Sequence, residues 1–306
     1  MMKMVKKVNS KREKRLRQLM TLIIAAAVSV LLNGFFMVYS YLSHQEINEL
    51  EAQVVQLQEE ITDHTTVNDE LIMYISELEY KSSQLYCPTL NPTQGKIAYL
   101  TFDDGPTSLT PKVLDVLKEY NVHATFFVNG VKVKGNAEIL KRMIEEGHTI
   151  GNHTTTHKYE TLYSSLDNLK SEILDTNYRV YEATGYTVKA FRFPGGSSNT
   201  QFMTYSPDTP LNSWLSMIHE LGMEYYDWNV SSLDASGTYK SADQIYEAVI
   251  NGTKNKTQIT VLMHDVPNNQ TTLEALPRII ETLLEQGYSI EALTPNSKAI
   301  QHKTVS

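Results

Sequence analysis

Hydrophobic and polar positions divide the chain into three stretches of different periodicity. From Leu19 to Leu42 the pattern is unbroken: 24 residues without a charge, LMTLIIAAAVSVLLNGFFMVYSYL. That is long enough to cross the hydrocarbon core of a bilayer as one helix, and Tyr39 and Tyr41 fall where an interfacial aromatic belt sits. A cleaved signal peptide has an apolar region of about 7–15 residues followed by small residues. Here the run is longer and Phe35-Phe36-Met37 fill its second half, so it is read as an uncleaved transmembrane helix over residues 19–42.

The second stretch repeats every seven residues. Ile47, Val54, Ile61, Asn68, Ile75 and Ser82 share one core position, and Leu50, Leu57, His64, Leu71, Leu78 and Leu85 the other. β-Branched residues at the first position and leucine at the second favour a parallel two-stranded coiled coil, and a single core asparagine fixes its register. The pattern predicts a helical stalk over 45–86, roughly 60 Å long at 1.5 Å per residue, and a parallel homodimer through residues 47–85. The alternative is a single amphipathic helix packed on the rest of the chain. Residues 87–95, with Cys87-Pro88, Pro92 and Gly95, read as a linker. Cys87 is the chain's one cysteine, so it is either a free thiol or a bridge between two stalks.

The third stretch alternates short β-type runs with amphipathic helical patterns. Strands are expected near Ile97–Phe102, Ala124–Val128, Thr149–Ile150, Ala190–Phe193, Tyr225–Val230 and Ile259–Met263. Helices are expected over Pro111–Tyr120, Ala137–Glu146, Leu166–Thr184, Leu211–Leu221, Ala242–Ile250 and Thr272–Gln286. Such alternation predicts an α/β barrel or wound parallel sheet, with chemistry at the carboxyl ends of the strands.

Charge changes the picture in two ways. Residues 1–18 hold eight of the 27 Lys and Arg side chains but only one of the 35 Asp and Glu, so the remainder carries 19 basic against 34 acidic residues. The basic tail before the apolar run predicts a cytoplasmic N-terminus and an extracytoplasmic remainder, held at the cell membrane by a single pass. The acidic body makes nucleic acid a poor partner.

Candidate chemistry falls at the ends of the expected strands. Thr101-Phe102-Asp103-Asp104-Gly105-Pro106 places two carboxylates directly after the first one. Neighbouring side chains on extended backbone point to opposite sides, which would let one aspartate bind metal while the other faces the reacting water. His153-Thr154-Thr155-Thr156-His157 follows another strand; histidines four apart on a helix share a face and can hold one ion. With Asp104 they make three protein ligands and one open position, the pattern of a catalytic rather than a structural zinc site. Taken singly, each motif also has a plain reading, as a turn, a cap or exposed histidines.

In order along the chain these motifs are joined by Arg192-Phe193-Pro194-Gly195, by Trp228-Asn229 leading to Asp234, and by Leu262-Met263-His264. On these five motifs residues 96–295 resemble a polysaccharide deacetylase domain of the NodB homology type, carbohydrate esterase family 4. The resemblance implies a distorted (β/α) barrel over 96–306. It implies one divalent metal ion, usually zinc with cobalt or another ion as substitutes, on Asp104, His153 and His157. It makes Asp103 the general base, held by Arg192, and His264 the general acid, oriented by Asp234. Gly195 would offer a backbone N–H to the oxyanion, with Trp228 and Leu262 lining the groove.

Two positions depart from the family pattern. Gly195-Gly196 stand where a tyrosine commonly follows the proline, and Ala235 stands where an aromatic residue follows the aspartate. The implied activity is removal of N-acetyl groups from N-acetylhexosamine residues of a cell-envelope polysaccharide, with peptidoglycan favoured by the outward-facing anchor. Exopolysaccharide or chitooligosaccharide deacetylation, xylan-type O-acetyl esterase activity and a non-catalytic glycan-binding role are the alternatives.

Overall fold

The computed structural model describes residues 95–305. The basic tail, the expected membrane helix, the stalk and Cys87 lie outside the described residues. Among those described, no helix is long and apolar enough to cross a membrane.

The strands are β1 (Lys96–Gly105), β2 (Thr125–Val128), β3 (Thr149–Asn152), β4 (Ala190–Phe191), β5 (Glu224–Tyr225), β6 (Val230–Ser231), β7 (Gln258–His264) and β8 (Tyr288–Ile290). Helices α1 (Thr110–Glu119), α2 (Gly130–Val133), α3 (Ala137–Glu145), α4 (Tyr159–Leu162) and α5 (Leu166–Thr184) alternate with the first half of them. They are followed by α6 (Gln201–Tyr205), α7 (Leu211–Glu220), α8 (Ala242–Gly252) and α9 (Gln270–Glu285). The sheet runs β5-β4-β3-β2-β1-β7-β6, every pair parallel, with β8 added to β1.

The sheet is curled into an incomplete barrel, as its connectivity requires. β5 and β6 are its two edges, yet only residues 226–229 separate them. Five extended residue steps reach at most about 17 Å, so the edges must lie close together. The sequence pattern predicts one strand over Tyr225–Val230, and the structure divides it. Tyr226 N–H still reaches back to Phe191 O on the β4 side (2.9 Å), while Asn229 N–H turns to Thr260 O on the β7 side (3.2 Å). β8 was not expected from the sequence. It pairs with β1 at Lys96–Ala98, below the point where β2 begins to pair at Thr101.

β1 shows how the curl sorts side chains. Ala98, Leu100 and Phe102 face the main core beneath the helices. Tyr99, on the opposite face, joins a smaller interior cluster with Phe127, Ala190, Tyr226 and Leu293. Strands covered on both faces read as continuous apolar runs, which is why β1 lacks a clean alternation until Asp103. α5 covers the sheet with Leu169, Ile173, Thr176 and Val180. Its ends are set locally: the Ser165 hydroxyl accepts from Asn168 N–H at 3.1 Å, and Gly185 closes the helix in a left-handed conformation, φ 73°.

Close packing also fixes Gly151 in β3, one residue before the edge of the site. A Cβ there would stand 2.4 Å from the Phe127 ring. Gly151→Ala is therefore expected to destabilise the fold by about 1–3 kcal/mol through overpacking, read as a lower urea midpoint with an unchanged slope.

Candidate active site

The carboxyl ends of β1, β3 and β7 bring the candidate residues together. β1 pairs with β7 so that Asp103 lies directly opposite His264. At the end of β1 the register slips between Asp103 and Gly105, and Asp104 adopts φ 69°. The bulge turns Asp104 back beside its neighbour: Asp103 Oδ2 is 3.7 Å and Asp104 Oδ1 3.8 Å from the same atom, His153 Nε2. The opposite-sides expectation for the two aspartates is therefore corrected, because it assumed extended backbone through Asp104. Gly105 completes the turn where a Cβ would stand 2.4 Å from Asp265 Oδ2.

The helical reading of His153–His157 is also corrected. The segment is a loop after β3, with Thr154 at φ 66° and His157 at φ 58°. The Asn152 side chain accepts from Thr154 N–H (2.8 Å) and Glu172 from Thr156 N–H (2.7 Å), which satisfies backbone groups that a helix would have paired internally. The two imidazoles still converge, their ring centres 4.9 Å apart. Left-handed backbone at non-glycine residues concentrates at functional sites; here Asp104 and His157 both carry it.

Asp104, His153 and His157 each offer a ligand atom, all within 4.8 Å of one another. Asp104 Oδ1 is buried without a hydrogen-bond partner and lies 3.6 Å from His157 Nε2. His153 Nδ1 is 2.8 Å from Arg192 O; a carbonyl only accepts, so Nδ1 carries the proton and Nε2 presents a lone pair. Burial drives His153 down to about 4, despite the attraction of Asp103, and keeps it neutral as a ligand must be. Burial would raise Asp104, but His153, His157, His264 and Lys132 together hold its carboxyl below the usual range. Two ligands of one four-coordinate zinc stand about 3.3–3.6 Å apart; Asp104 Oδ1 lies 3.6 Å from His157 Nε2 and 3.8 Å from His153 Nε2, so the donor types fit such an ion and their spacing is at or slightly beyond what it would draw together.

Arg192 bridges β1 and the crossing segment 226–227 and is wholly buried. Its NH1 donates to Asp103 Oδ1 (2.8 Å) and Thr101 Oγ1 (2.7 Å), its Nε to Tyr226 O (2.8 Å) and its NH2 to Asp227 O (3.0 Å). The guanidinium also lies over the Phe127 ring, 4.2 Å from its centre.

On the other side His264 Nδ1 meets Asp234 Oδ1 at 2.8 Å. Asp234 Oδ2 accepts from His264 N–H (2.9 Å), Asn269 Nδ2 (3.1 Å) and Thr272 Oγ1 (3.0 Å). Burial opposes a charged imidazole, but the hydrogen bond and charge of Asp234, with Asp103 and Asp104, lift His264 to about 9.

Gly195 is exposed in a left-handed turn, φ 79°, where a Cβ would lie 3.2 Å from the Tyr159 hydroxyl. The Trp228 ring stands against Gly196, 3.0 Å from where a Cβ would be, and Leu262 is half-buried on β7. Sequence reasoning missed Tyr159, whose ring centre is 5.6 Å from that of His157, and Lys132, whose ammonium donates to the Asp104 carbonyl. Neither belongs to a motif, though Tyr159 follows His157 by only two positions.

A curled parallel sheet with three metal-type ligands between a carboxylate and an Asp–His pair has the parts of a hydrolase acting through activated water. Residues 90–214 match the family model of polysaccharide deacetylases. Over 197 residues the chain is 36% identical to the peptidoglycan-N-acetylglucosamine deacetylase PgdA of Listeria monocytogenes, covering 64% of this chain and 37% of that one. It therefore spans little more than a third of the Listeria protein's length. Over 285 residues it is 29% identical to a peptidoglycan-N-acetylglucosamine deacetylase of Bacillus cereus, covering 92% and 93%. The catalytic domain of peptidoglycan N-acetylglucosamine deacetylase from Eubacterium rectale superposes with a TM-score of 0.65 at 35% identity, covering 71% of this chain and 96% of that structure. The chain belongs to the polysaccharide deacetylase family.

Proposed function

We propose that the protein is a metal-dependent hydrolase that removes N-acetyl groups from N-acetylhexosamine residues of a cell-envelope polysaccharide, and that the polymer is peptidoglycan. The observation that carries the reading is the β1–β7 register, which pairs Asp103 with His264 next to the Asp104, His153 and His157 cluster. A base and an acid thus flank one set of ligands. The names of the Listeria, Bacillus and Eubacterium proteins favour peptidoglycan. The Bacillus match covers 92% of this chain and so reaches into the first 94 residues; the anchored, extracytoplasmic placement rests on the uncharged run 19–42 and the basic tail before it.

A divalent cation, zinc in the first instance, held by Asp104, His153 and His157 would lower the pKa of water from 15.7 toward about 7 and polarise the acetamide carbonyl. Arg192 fixes Asp103 through Oδ1 and leaves Oδ2 toward the ligands to take a proton from the attacking water. The water oxygen adds to the acetyl carbon and the C–N bond breaks. Acetate leaves with that oxygen, and the sugar nitrogen takes a proton from His264. Because Nδ1 of His264 is held by Asp234, Nε2 is the atom that gives the proton. The exposed turn at Gly195 supplies a backbone N–H for the carbonyl oxygen.

The test is acetate release by the full-length protein from purified peptidoglycan and from chitooligosaccharides, with zinc and after chelation. Chelator-sensitive release, faster from peptidoglycan, is expected. Zinc-bound protein that releases nothing from either polymer would end the deacetylase reading, and preference for an O-acetylated glycan would replace it with the esterase. Asp104→Ala and His153→Ala are each expected to weaken zinc retention by more than the roughly 10–100-fold that loss of an outer-shell partner costs, measured as metal content after dialysis.

A further inference from the structure

The loops that follow β6 and β7 line an open hollow of about 430 Å³, which includes Asp234 in its wall but not His264. β6 and β7 are parallel neighbours, so both loops leave the carboxyl face on which the ligand cluster lies. A volume of this size suits a sugar ring with a substituent.

The walls of this pocket are chemically unlike the cluster. Tyr239, in the wall of the pocket, offers an aromatic ring that is 82% exposed and open to stack on a ligand. Lys240 and the Asn268 amide line the pocket as well, and Lys240 makes no ion pair among the described residues. The one acid in the wall, Asp234, is fully engaged: Oδ1 with the His264 imidazole and Oδ2 with three donors. It is therefore not a counter-ion for Lys240. Ala235 adds only a methyl group to the wall and leaves the pocket open. An aromatic face, an amide and an uncommitted cation together complement a sugar that carries an anionic arm.

We propose that this pocket is a subsite for the sugar next to the one that loses its acetyl group, and that Lys240 pairs with a carboxylate on that sugar. The inference rests on the peptidoglycan reading above, in which every second sugar carries a lactyl ether ending in a carboxyl group, free or extended by a peptide. Chitooligosaccharides have no such group. The cluster at Asp104, His153 and His157 treats the acetamides of both polymers alike, so discrimination between them falls to this pocket.

The test measures binding rather than turnover, on full-length protein carrying Asp103→Asn. Peptide-free glycan strands are titrated calorimetrically with their lactyl carboxylates either free or converted to carboxamides. The carboxylate form is expected to bind about fivefold tighter, the scale of one well-placed exposed charge pair, and the preference should shrink as salt is raised. Lys240→Gln should bring the ratio of the two affinities to about one, and Lys240→Arg should keep it. A ratio near one with Lys240 intact, or a preference that survives Lys240→Gln, overturns the subsite. Because no acetate release is needed, failure of the subsite and failure of the deacetylase reading give separate results.

Discussion

Asp103→Asn is expected to slow acetate release by about 10²–10⁴-fold, the contribution typical of a general base, while zinc content stays at the wild-type level. Asp103 is 2% exposed and its Oδ1 accepts from Arg192 at 2.8 Å. Asparagine has the same size and keeps an oxygen for that bond. Arg192 also retains Thr101, Tyr226 O and Asp227 O as acceptors, so the guanidinium stays in place. What the amide cannot do is take a proton from water near neutral pH. The metal assay is the decisive half of the experiment. Asp103 Oδ2 is 3.7 Å from His153 Nε2 and Asp104 Oδ1 is 3.8 Å from it, so distance alone does not separate base from ligand. A variant that turns over normally removes Asp103 from the role of base, and one that loses zinc makes it a ligand.

That near-equality of distances marks the boundary of what could be read from the sequence. Asp103 and Asp104 were legible because they end an apolar run, and the position of that run already implied a strand end. Their mutual orientation was not, because it depends on a left-handed residue inside a bulge, and no pattern of residue types announces φ 69° at an aspartate. His153 and His157 were legible as a pair through their spacing, but that spacing suggested a helix. The loop was chosen instead by side chains from elsewhere, Glu172 on α5 among them. α5 was legible to its ends because its serine cap, apolar face and terminal glycine all agree.

The Tyr225–Val230 segment failed for the opposite reason. Its residue types suit a strand throughout, and only closure of the sheet decides that the middle must leave one edge and reach the other. Arg192 follows the same logic. The sequence places it near a strand end, while its four hydrogen-bond partners come from β1 and from the crossing segment 226–227.

Asp234→Asn is expected to reduce turnover at neutral pH by about 10²–10⁴-fold and to move the basic limb of the rate profile downward. Burial favours a neutral His264, and the 2.8 Å hydrogen bond and charge of Asp234, aided by Asp103 and Asp104, reverse that preference and raise it to about 9. Burial likewise would raise Asp234, but His264 holds its carboxyl below 3.8. The signs fix where the pair stabilises the fold. The share from His264 is fully present below its ordinary 6.5 and disappears as pH rises from there through about 9. The share from Asp234 is present above 3.8 and disappears as pH falls below that value. An asparagine can still accept the Nδ1–H, but it removes the largest favourable charge and leaves burial in command, so the imidazole should titrate near or below 6.5. At pH 7 it would then be mostly neutral, with no proton on Nε2 for the departing amine. NMR titration of His264 in the metal-free protein reads the shift directly, and the pH profile of acetate release reads its consequence. If the variant titrates as the wild type does, Asp234 does not set the charge of His264; if the titration moves while the rate does not, His264 is not the acid.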